Sequence, residues 1–436
     1  MSRPRTIRLV ALVAALLTAA GCGGSSTASL EPATTSTANP AATTVPPSST
    51  TSSTTAPAGP DSTVAESVDL AAVAGIQRPI SGSAVDHGWD SVVASFDQYV
   101  IDRDIGAAVL AVAVDGAPVL EVALGWADLD RTEPLTPEHR FRLASVTKPY
   151  TRALAFELQR QGRIDLERRA FCTPEQPSDC VIDLVDEAAA VGRPVREEMA
   201  AITIRQLLDH TAGFDSNVSI DPMFAPLLVR ADLGLDRLPL ERDVATWILG
   251  EPLVHQPGEV YAYSNVGYLS AGLAIEETTG SAYLDLLHSE LGVSDRLILG
   301  SSLPSDRADD EVEYACDEGT TINLFDPTGP PTCWADGGFY LEAMTAHGRL
   351  VAPASEVLSF LAGRCIDGFE NMRTCDTWHD GSLSGTYTVA RNVGRVDYVV
   401  LFNQRSDPGH DGFGYTDVVD LLDDEIQAVV GDLFAN

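Results

Sequence analysis

Of the 28 basic residues 27 are arginine, and Lys148 is the only lysine in 436 positions. Where a fixed cation would serve, this chain uses arginine, so a lone lysine marks a task that arginine cannot perform, the release of a proton. Ser145 stands three residues earlier. On a helix that spacing puts the hydroxyl and the amine on one face, within contact range. An amine so placed can take the serine proton and turn the oxygen into a nucleophile. The pair alone is suggestive: serine is common, and the spacing arises by chance roughly one time in fifteen.

Three further segments follow in order, and with them the sequence resembles a known family. Ser145-Val146-Thr147-Lys148 resembles the S-x-x-K motif of serine β-lactamases and penicillin-binding proteins. Residues 207–214, Leu-Leu-Asp-His-Thr-Ala-Gly-Phe, are similar to a segment of the class C β-lactamase and D-alanyl-D-alanine carboxypeptidase branch. Pro257-Gly258 followed by Tyr263-Ser264-Asn265 resembles that branch's Y-x-N motif, and His379-Asp380-Gly381-Ser382 stands where the branch has K-T-G or H-x-G. The resemblance spans about 90–435. It implies Ser145 as nucleophile, Lys148 with Tyr263 as general base, and Asn265, His379, Gly381 and Ser382 as substrate contacts, with the N–H groups of Ser145 and Ser382 holding an oxyanion. His210 is expected to be structural. A second His-Asp-Gly, at His410 to Gly412, is the poorer candidate because it lies in a polar loop after Asp407-Pro408-Gly409.

The elements that must position these residues follow from local pattern. Apolar runs on either side of Asp115-Gly116 predict a hairpin over 107–122. A helix is expected from Ser145 towards Gly162, with Pro149 tolerated in its first turn. Strand pattern returns at Thr386 to Val389 and Val396 to Phe402, and an amphipathic helix fits Thr416 to Leu433. The fold class expected is α/β: one antiparallel β-sheet built from both chain ends and flanked by helices, with a mainly helical insertion over about 165–355. The resemblance implies the same architecture.

Residues 1–22 have the parts of an export signal: Arg3, Arg5 and Arg8, an apolar run from Leu9 to Leu17, then Ala19-Ala20-Gly21-Cys22. Small residues running into a cysteine resemble the bacterial lipobox, which implies lipidation of Cys22; the other reading is an ordinary secretory signal cleaved nearby. Residues 23–66 are rich in Ser, Thr, Ala and Pro, which reads as a disordered tether ahead of a hydrolase domain over 67–436. Six further cysteines, an even count in an exported chain, suggest disulfides, with sequential neighbours favoured: Cys172 with Cys180, Cys316 with Cys333, Cys365 with Cys375. They lack the tight paired spacing of a zinc site, so no metal and no cofactor are expected.

The net charge is −35, all of it carried by residues 67–436. That excludes a nucleic-acid binder or a polybasic membrane docker, and a monomer touching the membrane only through a lipid anchor is expected. The expectation is therefore an exported, cell-surface or periplasmic serine hydrolase forming an acyl-enzyme on Ser145 and acting on neutral esters or amides. A D-Ala-D-Ala carboxypeptidase, a β-lactamase, or an inactive lipoprotein that binds cell-wall peptide are the alternatives. No G-x-S-x-G and no H-E-x-x-H occurs to support another hydrolase class.

Overall fold

A computed structural model describes residues 68–70, 78–366, 375–406 and 414–435. Cys22, the tether and the second His-Asp-Gly lie outside the described residues.

The main sheet has seven strands: β1 (Val68–Asp69), β2 (Ile80–Ala84), β3 (Ala107–Val114), β4 (Ala117–Gly125), β5 (Asp376–Leu383), β6 (Thr386–Val393) and β7 (Val396–Phe402). Their spatial order is β1-β2-β4-β3-β7-β6-β5, and every neighbouring pair is antiparallel. Both chain ends thus build one sheet, joined where β3 pairs with β7 from Val114↔Val396 to Ala108↔Phe402. These two central strands are almost wholly buried, as suits apolar strands covered on both faces; β3 is apolar throughout and β7 is interrupted only by Asp397.

Ten α-helices are described: α1 (Asp90–Asp102), α2 (Thr147–Arg160), α3 (Val185–Ala190), α4 (Ile204–Leu208), α5 (Pro226–Leu233), α6 (Glu241–Ile248), α7 (Asn265–Thr279), α8 (Tyr283–Leu291), α9 (Ala354–Leu361) and α10 (Asp417–Val430). Helices α1 and α10 cover one face of the sheet, where Phe96, Val100, Val418 and Leu422 pack on Leu110, Val400 and Phe402. The other face packs on α2, α9 and the helices between them, around Val109, Val399 and Leu401.

Two features differ from expectation. The strand pair β1–β2 and helix α1 precede the hairpin over 107–122. In addition, the helices of the insertion end at Leu291. Residues 298–352 hold short strands instead: Leu350–Ala352 pairs with both Phe141–Arg142 and Ile298–Leu299, and Thr320–Thr321 pairs with Thr332–Cys333. Pro327, Pro330 and Pro331 crowd the loop between the last two strands, and only short turns such as Pro304–Asp306 and Leu341–Ala343 are helical there. The six cysteines join as Cys172–Cys180, Cys316–Cys333 and Cys365–Cys375. None of the described helices is long and apolar enough to cross a membrane.

Candidate active site

Ser145 lies in a 3-10 turn, Ala144–Val146, that runs directly into α2. Ala144 ahead of it has φ +46°, a left-handed conformation that costs a side-chain-bearing residue about 1–2 kcal/mol. The fully buried Ala144 is held there by packing. Lys148 and Pro149 then fall in the first turn of α2, where Pro149 forfeits no intrahelical bond. The Thr147 hydroxyl accepts the Leu350 N–H at 3.2 Å, and the Leu143 N–H donates to the Leu350 carbonyl at 2.8 Å. The turn is therefore pinned to the strand Leu350–Ala352.

Tyr263 and Asn265 owe their places to the serine between them. Ser264 caps α7, its hydroxyl accepting the Gly267 N–H at 3.0 Å. That puts Tyr263 just before the helix and Asn265 at its first position. His210 fixes the approach: its Nδ1 accepts the Ser264 N–H at 3.1 Å, its carbonyl accepts the Ala262 N–H at 2.8 Å, and its ring packs on Tyr263 and Tyr268. Burial, then the charges of Lys148, His379 and Arg152, keep the His210 imidazole neutral.

The three groups meet. Ser145 Oγ is 2.8 Å from the Tyr263 hydroxyl, and Lys148 Nζ donates to Ser145 Oγ at 3.0 Å. A second Nζ–H bonds the His347 carbonyl at 3.0 Å, and the amine sits 4.8 Å from the centre of the Tyr263 ring. Lys148 is 1% exposed. Burial lowers its pKa to about 7, against the charges of Asp221 and Asp380, which support the ammonium. Burial and the same two carboxylates push the Tyr263 hydroxyl up, partly offset by its bond to Ser145, so it stays a phenol.

Strand β5 closes the other side. At Gly381 an added Cβ would lie 2.1 Å from the Leu143 carbonyl oxygen and 3.1 Å from the Ser145 nitrogen. Only glycine lets this edge strand come so near the serine. The register pairs Gly381 with Thr388 and Ser382 with Tyr387. Directly opposed residues share a face, so Asp380 and Ser382 lie with Val389 and Tyr387 on the α1–α10 side, whereas His379, Gly381 and Leu383 face Ser145. The sequence reading gave Ser382 a place beside the substrate; its side chain does not have one. Its backbone is another matter. A two-residue hairpin loop closes on a hydrogen-bonded pair, here Leu383 and Thr386, so the alternate N–H of Ser382 points off the open sheet edge. His379 Nδ1 donates to the Asp380 carbonyl at 2.7 Å.

This is a serine and an amine at three-residue spacing, a tyrosine on the same oxygen, and an edge strand beside them. A family model for Beta-lactamase matches residues 90–422. The chain belongs to the beta-lactamase family. Its fold is that of the family's solved members. The D-amino acid amidase of Ochrobactrum anthropi SV3 is similar with a TM-score of 0.54 and 18% identity, covering 78% of this chain and 98% of that one. A penicillin-binding protein homolog from Caulobacter crescentus has a TM-score of 0.52 and 16% identity, covering 80% and 100%. Among curated sequences, Protein Rv1367c of Mycobacterium tuberculosis is 32% identical over 145 residues, 33% of this chain and 34% of that protein. The match thus spans about a third of such relatives' length.

Several residues at this family site were invisible in the sequence. Asp221 accepts the Asn265 Nδ2–H at 2.8 Å and the Met223 N–H at 3.0 Å. Ser216 donates its N–H to the Tyr263 carbonyl at 3.0 Å and accepts the Asn265 N–H at 3.3 Å. His347 gives its carbonyl to Lys148, and burial with the Lys148 charge keeps its ring neutral. Arg152 is committed to the Asp209 carboxylate at 2.7 Å and the Leu208 carbonyl at 3.1 Å. No group of carboxylates, histidines or cysteines able to hold a metal occurs among the described residues.

Proposed function

We propose that the chain is an exported serine hydrolase that works through an acyl-enzyme on Ser145 and prefers neutral esters or amides. One observation carries the reading: Ser145 Oγ is within hydrogen-bond reach of both the Tyr263 hydroxyl and an amine whose pKa burial brings to about 7. Near neutral pH a large share of Lys148 is unprotonated, with its nitrogen 3.0 Å from the serine oxygen. As Oγ attacks the substrate carbonyl carbon, the serine proton passes to Lys148, and the new oxyanion is held by the N–H groups of Ser145 and Ser382. Tyr263, kept as a phenol, gives the leaving group its proton, and the Lys148 ammonium then returns the proton it took from Ser145 to the Tyr263 phenolate. Water then attacks the acyl-serine with Lys148 as base, and the Ser145 hydroxyl is recovered as the acid leaves.

The surrounding charge disfavours anionic substrates. His379 stands where the relatives with K-T-G carry a lysine, Arg152 is already paired, and the carboxylates of Asp221 and Asp380 act at the site. A carboxypeptidase or β-lactamase must hold a substrate carboxylate, which these groups oppose. The amidase named above makes amides as plausible a substrate as esters. An inactive peptide-binding role is disfavoured by the intact contacts of Ser145, Lys148 and Tyr263. Residues 1–22 serve in this reading as the leader, with Cys22 as lipid anchor, and 23–66 as tether.

Hydrolysis of p-nitrophenyl acetate by the secreted protein tests the proposal. Ser145→Ala and Lys148→Arg should each lose at least about a thousandfold in kcat/KM while melting as the parent does, because Arg cannot act as a base near neutral pH. An arginine variant that keeps most of its activity would contradict it.

A further inference from the structure

The carbonyl of Arg142, three residues before the nucleophile, accepts two hydroxyls from the neighbouring sheet. Thr388 Oγ1 and Thr386 Oγ1 each donate to it at 3.1 Å, and both threonines are fully buried. A hydroxyl carries one proton. That of Thr386 is divided between Arg142 and the Phe402 carbonyl at 3.2 Å, whereas that of Thr388 goes to the Arg142 carbonyl. These bonds belong to no strand ladder; they tie the sheet to the segment that carries Ser145.

The register shows what the hydroxyls hold. Thr388 lies opposite Gly381 and Thr386 opposite Leu383, so both threonines share the face of the sheet that looks towards Ser145. Strand β5 is the edge of the described sheet and is paired with β6, so its distance from the turn Ala144–Val146 follows from where β6 sits. Arg142 is a fixed point for that contact. Its N–H donates to the Tyr314 hydroxyl at 2.8 Å, its buried guanidinium donates to the Ala335 and Ser301 carbonyls at 2.9 Å each, and the residue pairs with Val351. The next residue, Leu143, is the one whose carbonyl oxygen leaves no room for a side chain at Gly381. One anchored peptide thus meets β6 through hydroxyls and β5 through a glycine.

We infer that Thr388 is a positioning residue for acyl transfer: its hydroxyl holds β6 to the Arg142 carbonyl and so sets the gap between the Ser145 and Ser382 N–H groups that receive the oxyanion. This rests on the serine-hydrolase reading. Thr388 touches neither substrate nor reacting atoms and moves no proton; it acts through the placement of backbone. The contact at Gly381 stops β5 from coming nearer to the serine, and the Thr388 hydroxyl stops it from drifting away. Donors stabilise an oxyanion only when they are already aimed at the place where its charge develops. A small misplacement therefore costs rate while the fold survives.

The test compares three variants on p-nitrophenyl acetate. Thr388→Val keeps nearly the same shape and loses the hydroxyl, Thr388→Ser keeps the hydroxyl and loses a methyl, and Thr388→Ala loses both. The expected result is a fall in kcat/KM of about tenfold or more in the valine and alanine variants, with the serine variant within about threefold of the parent. The midpoint of the pH profile should stay near 7 in all three, because Lys148 keeps its bonds to Ser145 and to the His347 carbonyl. Parent-like turnover by Thr388→Val overturns the inference. A serine variant no better than alanine does so too, since it would assign the position to packing, and so does a midpoint that moves with the rate, which would place the effect on Lys148. Should Thr388→Val not fold, serine against alanine decides, because those two differ by the hydroxyl alone. If the parent hydrolyses the ester and the variants break this pattern, only this inference falls. If the parent leaves the ester untouched, the underlying hydrolase reading falls with it.

Discussion

Burial beside Tyr263 and Tyr268 disfavours the Lys148 ammonium, the carboxylates of Asp221 and Asp380 partly restore it, and the balance lies at about 7. A base acts only when unprotonated. Turnover of a neutral ester should therefore rise with pH to a plateau, with a midpoint near 7. Asp221→Asn withdraws one support of the ammonium, so the midpoint should move to lower pH. A pH titration of kcat/KM with p-nitrophenyl acetate reads both, and a midpoint that stays put or rises in the variant counts against Lys148 as the base. At this scale the sequence was informative where residue type alone carries the signal. A single lysine among 27 arginines is conspicuous, and Tyr263 and Asn265 follow it in a recognisable order. Asp221 is one of 63 acids, and nothing local marks it, because its role comes from a long-range contact with Asn265. Ala144 was equally hidden, since a left-handed alanine leaves no trace in residue type.

At the scale of elements, the site depends on how closely the edge strand β5 approaches the turn before α2. Gly381→Ala would place a methyl 2.1 Å from the Leu143 carbonyl oxygen, and backbone cannot yield as a flexible side chain can. The strand must shift, and the N–H of Ser382 with it. We expect kcat/KM to drop by about a hundredfold, as for loss of an oxyanion donor, with a stability loss of about 1–3 kcal/mol. Kinetics beside thermal melting would separate the two effects, and near-normal turnover would show that Ser382 does not serve the oxyanion. The hairpin β3–β4, strands β6 and β7 and helices α2 and α10 were legible from alternation, turns and caps. Strand β2 was not. Its sequence, Ile-Ser-Gly-Ser-Ala, has little strand character, and Gly82 is needed because a Cβ there would lie 2.0 Å from the Glu121 carbonyl oxygen. Pairing with β4, not intrinsic preference, makes it a strand.

For the whole molecule, the sheet shared by the two chain ends brings His379 and Gly381 to a serine more than 230 positions earlier. That topology was readable because strand pattern at both ends brackets a region without it. The extent of the helical part was not readable, since a short apolar run in 298–352 looks alike in a helix or a strand. The same assembly sets the charge around the site, with Lys148 the sole lysine and two carboxylates acting on it. At pH 8 a neutral short-chain ester should therefore surpass a cephalosporin in kcat/KM, and the opposite order would overturn the assignment of substrate charge. All of this presumes a nucleophilic Ser145. The most direct test of that claim is covalent labelling of the purified protein with a fluorophosphonate, followed by intact mass and peptide mapping. The account predicts one adduct per chain, on the peptide carrying Ser145, formed about a hundredfold or more slowly in Lys148→Arg. No adduct, an adduct on another residue, or labelling of Lys148→Arg at the parent rate would contradict it.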